Sequence, residues 1–372
     1  LRERRVAVTG ADGFIARNVA LLLAERGDTV IRITRSTTGE GLRAALAGAD
    51  VVLHLAGVNR PKDSAEFDEG NTGFTTLLCD ELRALDRPMP VVYASSSQAV
   101  QDNPYGRSKR AAELALERFA RESGAPVAIL RLWNVFGKFA RPNYNSVVAT
   151  FCHNIARGLP IVVSDPAAPV RLVHVDDVAA ALLRLVDSGV AEVGLVDVGP
   201  VHGTTVGDLA ATIRGFAESR RTLMPGAVGA GFLRALYSTY VSYLPTDGFS
   251  YALTRHEDPR GAFAEMLRTP DAGQFSFFTA HPGVTRGGHY HHTKTEKFLV
   301  VRGRARFGFR HVVTDERFAL EVHGGESRVV ETVPGWAHDV TNIGDEEMIV
   351  MLWANETFDP QRPDTIAAGV RT

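Results

Sequence analysis

The chain has 372 residues, 45% of them apolar and 23% charged, which exceeds one ordinary core and points to two soluble domains. A formal net charge of −2 carries no basic excess, which argues against nucleic acid or an anionic membrane as principal partner. A phosphorylated metabolite needs only a local positive site and stays open. Cys79 and Cys152 stand in apolar surroundings and read as reduced, buried thiols. The start, Leu1 to Arg5, runs straight towards a strand without a signal-peptide core, so a cytoplasmic protein is expected. The most apolar long stretch, Met224 to Leu244, is broken by Pro225, Gly226, Gly229, Gly231 and Arg234. It reads as an amphipathic helix on its own domain, with no membrane insertion.

In chain order, Val6 to Thr9 is a short buried strand, followed by a glycine turn and by helical periodicity from Arg17 to Arg26. Gly10 and Gly13 let a pyrophosphate approach the backbone, and the helix start offers free N–H groups. Gly10, Asp12, Gly13, Phe14 and Ile15 are therefore candidate nucleotide contacts. The second strand, Thr29 to Thr34, ends at Arg35 where an acidic residue would grip a ribose diol. Arg35 can pair with a 2′-phosphate, which favours NADPH over NADH; the plainer reading is a solvated loop arginine. The third strand, Val51 to His54, ends in Leu55, Ala56 and Gly57, small enough to border a cofactor. The strand around Val91 to Tyr93 leads into Ser95, Ser96 and Ser97, and Tyr105 and Lys109 then share one face of a helix. Pro104 suits that helix's first turn, with Asp102 or Asn103 as cap.

These residues, with Ala16, the run Leu130 to Gly137 and the run Val173 to Val178, resemble the extended short-chain dehydrogenase/reductase family from about residue 6 to 240. The resemblance implies a Rossmann-type, doubly wound parallel sheet in an α/β domain. It further implies that Tyr105 donates a proton to a carbonyl oxygen as hydride arrives, with Lys109 holding the nicotinamide ribose. Ser96 or Ser97 would orient the carbonyl, and Asn134 and Arg171 would face substrate. A phenol titrating near ~10 needs its anion stabilised to work near neutrality, and a nearby ammonium supplies that charge. The serine run lies unusually close to Tyr105, which departs from the family pattern.

From about Gly248 the pattern changes to short alternating segments such as Gln274 to Thr279 and Met348 to Trp353, as in an all-β barrel. The division is expected at 1–246 and 247–372. Gly283, His289, His291, Glu296 and Gly303, then Pro334, His338 and Asn342, resemble the two motifs of the cupin (jelly-roll) family, with Gly335 displaced by one place. His289 and His291, two apart on a strand, share the inner face. Glu296 and His338 can close a cage for a divalent metal, zinc first, with iron, manganese and nickel also suited. The alternative is a metal-free barrel like those of nucleotide-sugar 3,5-epimerases. His292, Lys294 and Lys297 are candidate bases beside the ligands; most such side chains are solvated strand-end residues.

The fusion, with Gly287 to Phe298 and Gln101 to Gly106, resembles a family of bacterial capsular-polysaccharide enzymes over essentially the whole chain. That implies C3 epimerisation of a UDP-2-acetamido-2,6-dideoxy-4-ketohexose in the barrel, then NADPH reduction of the 4-ketone. The product would be UDP-2-acetamido-2,6-dideoxy-L-talose, on the route to UDP-N-acetyl-L-fucosamine for capsule or O-antigen. A homodimer is expected, since cupin barrels often pair through sheet edges. Two rival readings remain: a ketosugar reductase whose cupin only binds sugar or metal for dimerisation, and a nonenzymatic nucleotide sensor.

Overall fold

Near-continuous apolar runs such as Val6-Ala7-Val8 and Val51-Val52-Leu53 form strands buried on both faces, the signature of a parallel sheet covered by helices. The computed structural model describes residues 3–85, 87–189, 194–361 and 363–370; Leu1 and Arg2, at the start expected to lead into the first strand, lie outside them. The strands of the first part are β1 Arg5–Thr9, β2 Thr29–Ile33, β3 Val51–His54, β4 Val91–Ser96, β5 Val127–Leu132, β6 Asn134–Phe136, β7 Pro169–His174, β8 Gly194–Leu195 and β9 Val201–Thr205. The main sheet has the order β2-β1-β3-β4-β5-β8 with every pairing parallel. One face packs against Val19 and Leu23 of helix Phe14–Glu25 and Val178 and Leu182 of helix Val175–Ser188. The other packs against Leu78 and Leu82 of helix Phe74–Arg83 and Leu116 and Phe119 of helix Pro104–Ser123. This is the expected doubly wound α/β domain. The strand order reverses between β1 and β3, so ligands are expected outside the carboxyl ends of those strands.

The second part contains β10 Arg255–Asp258, β11 Gly261–Thr269, β12 Gly273–Ala280, β13 Thr285–Tyr290, β14 Glu296–Arg302, β15 Arg304–His311, β16 Arg317–His323, β17 Val329–Glu331, β18 Trp336–Asn342, β19 Met348–Ala354 and β20 Ile366–Ala367. They form two antiparallel sheets, β10-β11-β12-β19-β14-β17 and β16-β15-β18-β13-β20. Phe278, Phe298, Phe307, Phe309 and Val350 fill the space within the barrel. Each such phenylalanine contributes roughly 1.5–3 kcal/mol by leaving water.

By internal packing, Leu1–Arg214 with Ala230–Pro245 form one unit and Gly215–Gly229 with Thr246–Thr372 the other. Within the second unit, Arg220 donates to the Gly248 carbonyl at 2.5 Å and Arg268 N–H to the Leu223 carbonyl at 2.7 Å. In the apolar stretch Met224 to Leu244 the helix spans Gly231–Ser242, with Leu236 and Tyr240 buried. No helix among the described residues is long and apolar enough to cross a membrane.

Candidate functional site

The turn after β1 closes with Gly13 N–H donating to the Gly10 carbonyl at 2.8 Å. Gly10 has φ +63°, and a Cβ there would stand 2.7 Å from Ala56 Cα, so only glycine lets this turn pass the end of β3. Gly13 precedes helix Phe14–Glu25 with no side-chain cap, leaving its N-terminal N–H groups free for an anion. A cavity of about 1950 Å³ opens here, lined by Asp12, Gly13, Phe14, Ile15, Leu55, Ala56 and Gly57, and farther along by Ser96, Ser97, Tyr105, Lys109, Asn134 and Arg171. The free helix end and close backbone approach fit a dinucleotide. Arg35 is exposed in the turn after β2 and does not line this cavity. Asp12 pairs with Arg32 at 2.7 Å.

Helix Pro104–Ser123 presents Tyr105 and Lys109 to the cavity. Asn103 accepts from Gly106 N–H at 2.8 Å and Pro104 fills the first turn, so of the two candidate caps Asn103 acts. Burial pushes the Tyr105 phenol above its ordinary value, and the hydrogen bond with the Ser96 side chain pulls it part-way back. Ser95 instead donates to Glu113 at 2.6 Å. Lys109 donates to the Ala94 carbonyl at 2.8 Å and sits 4.3 Å from the Tyr93 ring centre. Burial lowers it from 10.5 to about 7 against the opposing pull of Glu113. Asn134 donates to the Arg171 carbonyl at 3.1 Å, and the Arg171 guanidinium lies 4.7 Å from the Trp133 ring centre.

Sequence reasoning missed what stands behind this face. The Thr9 hydroxyl accepts from Leu55 and Ala56 N–H, both at 3.1 Å, so its own hydrogen goes to His54 Nδ1 at 2.8 Å. His54 Nε2–H then donates to Thr75 Oγ1 at 2.9 Å, and Thr75 donates to the Asn71 carbonyl at 2.6 Å. Asn71 lies in a π-helical turn, Asp68–Gly73, of the kind often found at functional sites. Its side chain accepts from Val58 N–H and donates to Ser108 Oγ, whose hydroxyl donates to the Tyr105 carbonyl. Arg17, Arg60 and Arg141 also line the cavity; isolated basic residues carry no spacing signal.

In the barrel, β13 brings in His289, β14 Glu296 and β18 His338, with His291 just past the end of β13. One ligand atom from each of the four lies within 4.8 Å of all the others. His291 Nε2 and His338 Nε2 are each 3.4 Å from Glu296 Oε2, and both are buried without a hydrogen-bond partner. Three imidazoles converging on one carboxylate, with two ring nitrogens buried and unpartnered, fit a divalent cation. Burial would push Glu296 up, but His291, His338 and Lys294 hold it well below the carboxylate range. Burial and then His338 lower His289 to about 4. A pocket of about 180 Å³ adjoins the cluster, with Phe263, Phe298 and Leu352 among its apolar lining and Arg286 and Asp339 among its polar lining.

The three candidate bases separate. Lys294 is buried, its Nζ 3.1 Å from Glu296 Oε1. Lys297 is the neighbour of inward-facing Glu296, so strand alternation turns it outward to pair with Glu331. His292 is exposed and packs edge-on against Tyr290. The fold therefore brings Lys294, and neither of the others, to the cluster.

Residues 6–199 match the NAD dependent epimerase/dehydratase family, which accounts for just over half of the chain. The chain belongs to this family. Beyond the epimerase/dehydratase segment, residues 256–366 match the polysaccharide biosynthesis C-terminal domain. A Pseudomonas aeruginosa protein named UDP-2-acetamido-2,6-beta-L-arabino-hexul-4-ose reductase is 51% identical, over 98% of this chain and 99% of its own. The capsular polysaccharide assembling protein CapF from Staphylococcus aureus superposes with a TM-score of 0.91 at 41% identity, covering 98% of this chain and all of that one. CapF with the inhibitor 3-isopropenyl-tropolone superposes with a TM-score of 0.87 at 36% identity, again covering 98% of this chain and all of the other. Within the epimerase/dehydratase family, this chain is thus CapF-like in both of its parts.

Proposed function

We propose that the chain is a bifunctional nucleotide-sugar enzyme of polysaccharide biosynthesis, with epimerase chemistry assigned to 247–372 and reductase chemistry to 1–246. The observation that carries this reading is the presence of two separate reactive clusters, Ser96–Tyr105–Lys109 and His289–His291–Glu296–His338, in a chain similar throughout to a UDP-hexulose reductase. The substrate is a UDP-2-acetamido-2,6-dideoxy-4-ketohexose, and the barrel inverts C3. His289, His291, Glu296 and His338 would hold a divalent metal, zinc first, which when bound supplies Lewis acidity towards a keto oxygen. Lys294, buried beside Glu296, is the candidate placed to hold the C3 proton.

In the first unit, a nicotinamide cofactor when bound would supply hydride to C4, and Tyr105 is the residue that gives its hydroxyl proton to the C4 oxygen. Ser96 orients the ketone, Lys109 holds the cofactor ribose, and Asn134 and Arg171 contact the sugar nucleotide. Arg35 selects NADPH through the 2′-phosphate. Epimerisation precedes reduction, because the 4-ketone acidifies the C3–H and its reduction removes that activation. The product is the L-talo sugar, precursor of UDP-N-acetyl-L-fucosamine, made in the cytoplasm by a homodimer paired through barrel sheet edges. The test is incubation with the 4-ketosugar in deuterated water, with and without NADPH. Deuterium uptake without NADPH and ketone loss only with it are expected. Ketone loss with no uptake leaves a reductase with a non-catalytic barrel.

A further inference from the structure

A carboxylate far along the chain organises the turn between two candidate metal ligands. Asp364 Oδ1 accepts from His292 N–H at 2.8 Å. Its Oδ2 accepts from Thr293 N–H at 2.7 Å, Thr293 Oγ1 at 3.0 Å and Lys294 N–H at 2.8 Å. Three consecutive backbone donors that would otherwise lack partners thus close on one side chain. The Asp364 main-chain carbonyl also takes the hydrogen bond of His291 Nδ1. A carbonyl can only accept, so Nδ1 carries a hydrogen, and in the neutral ring that a metal requires Nε2 is left with its lone pair. Nε2 is the buried, unpartnered atom facing Glu296. His338 has only a long contact of 3.4 Å from Nδ1 to the Trp336 carbonyl. Just beyond Asp364, β20 pairs with β13, setting Ile366 opposite Tyr290 and Ala367 opposite His289. Ala368 N–H adds a bond to the Gly288 carbonyl at 2.9 Å.

We propose that Asp364 is a positioning residue of the barrel site, which fixes the Nδ1–H tautomer of His291 and shapes the 292–294 turn that carries Lys294 to Glu296. The proposal rests on the metal-site reading given above. Groups that orient a ligating histidine typically change metal affinity by about 10–100-fold when removed. Asp364→Ala frees the turn and lets the carbonyl drift. Asp364→Asn keeps the volume and one acceptor oxygen but loses the charge.

The experiment measures zinc affinity of the full chain by competition with a chromophoric chelator, with circular dichroism to check folding. It adds nitrogen NMR of ¹⁵N-histidine-labelled, metal-free protein to read the His291 tautomer. The proposal expects zinc binding weakened at least ~10-fold by Asp364→Ala and less by Asp364→Asn, with the single Nδ1–H tautomer becoming a mixture in the alanine variant. Parent-like affinity, within twofold, in a folded Asp364→Ala protein overturns it. If that variant unfolds, Asp364→Asn decides: weaker binding supports the latch and unchanged binding overturns it. A parent protein that takes up no zinc overturns the metal-site reading along with the proposal, an outcome distinct from failure of the latch alone.

Discussion

Replacing Lys109 with methionine should destroy reduction yet make the protein more stable in neutral solution. Lys109 is only 4% exposed, and burial brings its ammonium from 10.5 to about 7, an excess cost of about 5 kcal/mol for the charged form. The folded-state value lies below the unfolded one. The unfolded chain therefore binds more protons between about pH 7 and 10.5, and wild-type stability rises with pH across that window. The penalty is complete below pH 7 and gone above 10.5. Methionine has no such titration, so its advantage should shrink by ~1.4 kcal/mol per pH unit, or about 3 kcal/mol between pH 7.5 and 9.5. Loss of the bond to the Ala94 carbonyl costs the variant ~1–3 kcal/mol but does not vary with pH, and Glu113 keeps Arg110 and Arg131. The assay is urea unfolding of the cofactor-free protein, followed by helix circular dichroism at several pH values. A stability difference that stays constant within about 0.5 kcal/mol over this range contradicts a buried, depressed Lys109.

Tyr105→Phe should lower NADPH oxidation by at least ~10²-fold while deuterium exchange into the ketosugar continues, because the phenol serves only the reductase. Loss of both activities would show that the sites are not independent. Arg35→Ala should raise the KM for NADPH by roughly tenfold, matching one charged hydrogen bond, and leave NADH unchanged. Equal weakening of both cofactors removes the phosphate-contact role. His338→Ala should release most bound metal and impair exchange, read by elemental analysis alongside thermal unfolding. Unchanged metal content in that variant contradicts the four-residue cage.

What could be read in advance was local in the chain. The β1 turn announces itself because strand, glycines and helix follow one another, and the barrel motifs because His289 and His291 lie two apart beside Glu296. The choice between Ser96 and Ser97 turned on one residue of strand length. β4 runs to Ser96, whose side chain meets Tyr105, and Ser97 begins a 3₁₀ turn. The outward direction of Lys297 was implicit in the inward direction of Glu296, since neighbours on a strand face opposite sides. The pairing of His54 with two threonines is not legible in sequence, because it exists only once β1, β3 and the start of helix Phe74–Arg83 come together. Asp364 lies 70–72 residues from the backbone donors it satisfies, and no spacing rule reaches that far.

The file of hydrogen bonds through Thr9, His54 and Thr75 has a direction. It begins at two amide N–H groups and ends at an amide carbonyl, and every hydrogen in it points the same way. Passing a proton along such a file requires a donor that can release one at the head and an acceptor that can keep one at the tail. Peptide groups do neither near neutrality. Burial also holds His54 down to about 3, so it stays uncharged beside Lys109. This file behind the first unit's cleft is thus an insulator for protons. On the proposed reduction, the hydrogen that Tyr105 gives up would therefore be renewed from the open side of the cavity that Tyr105 lines and not through this file.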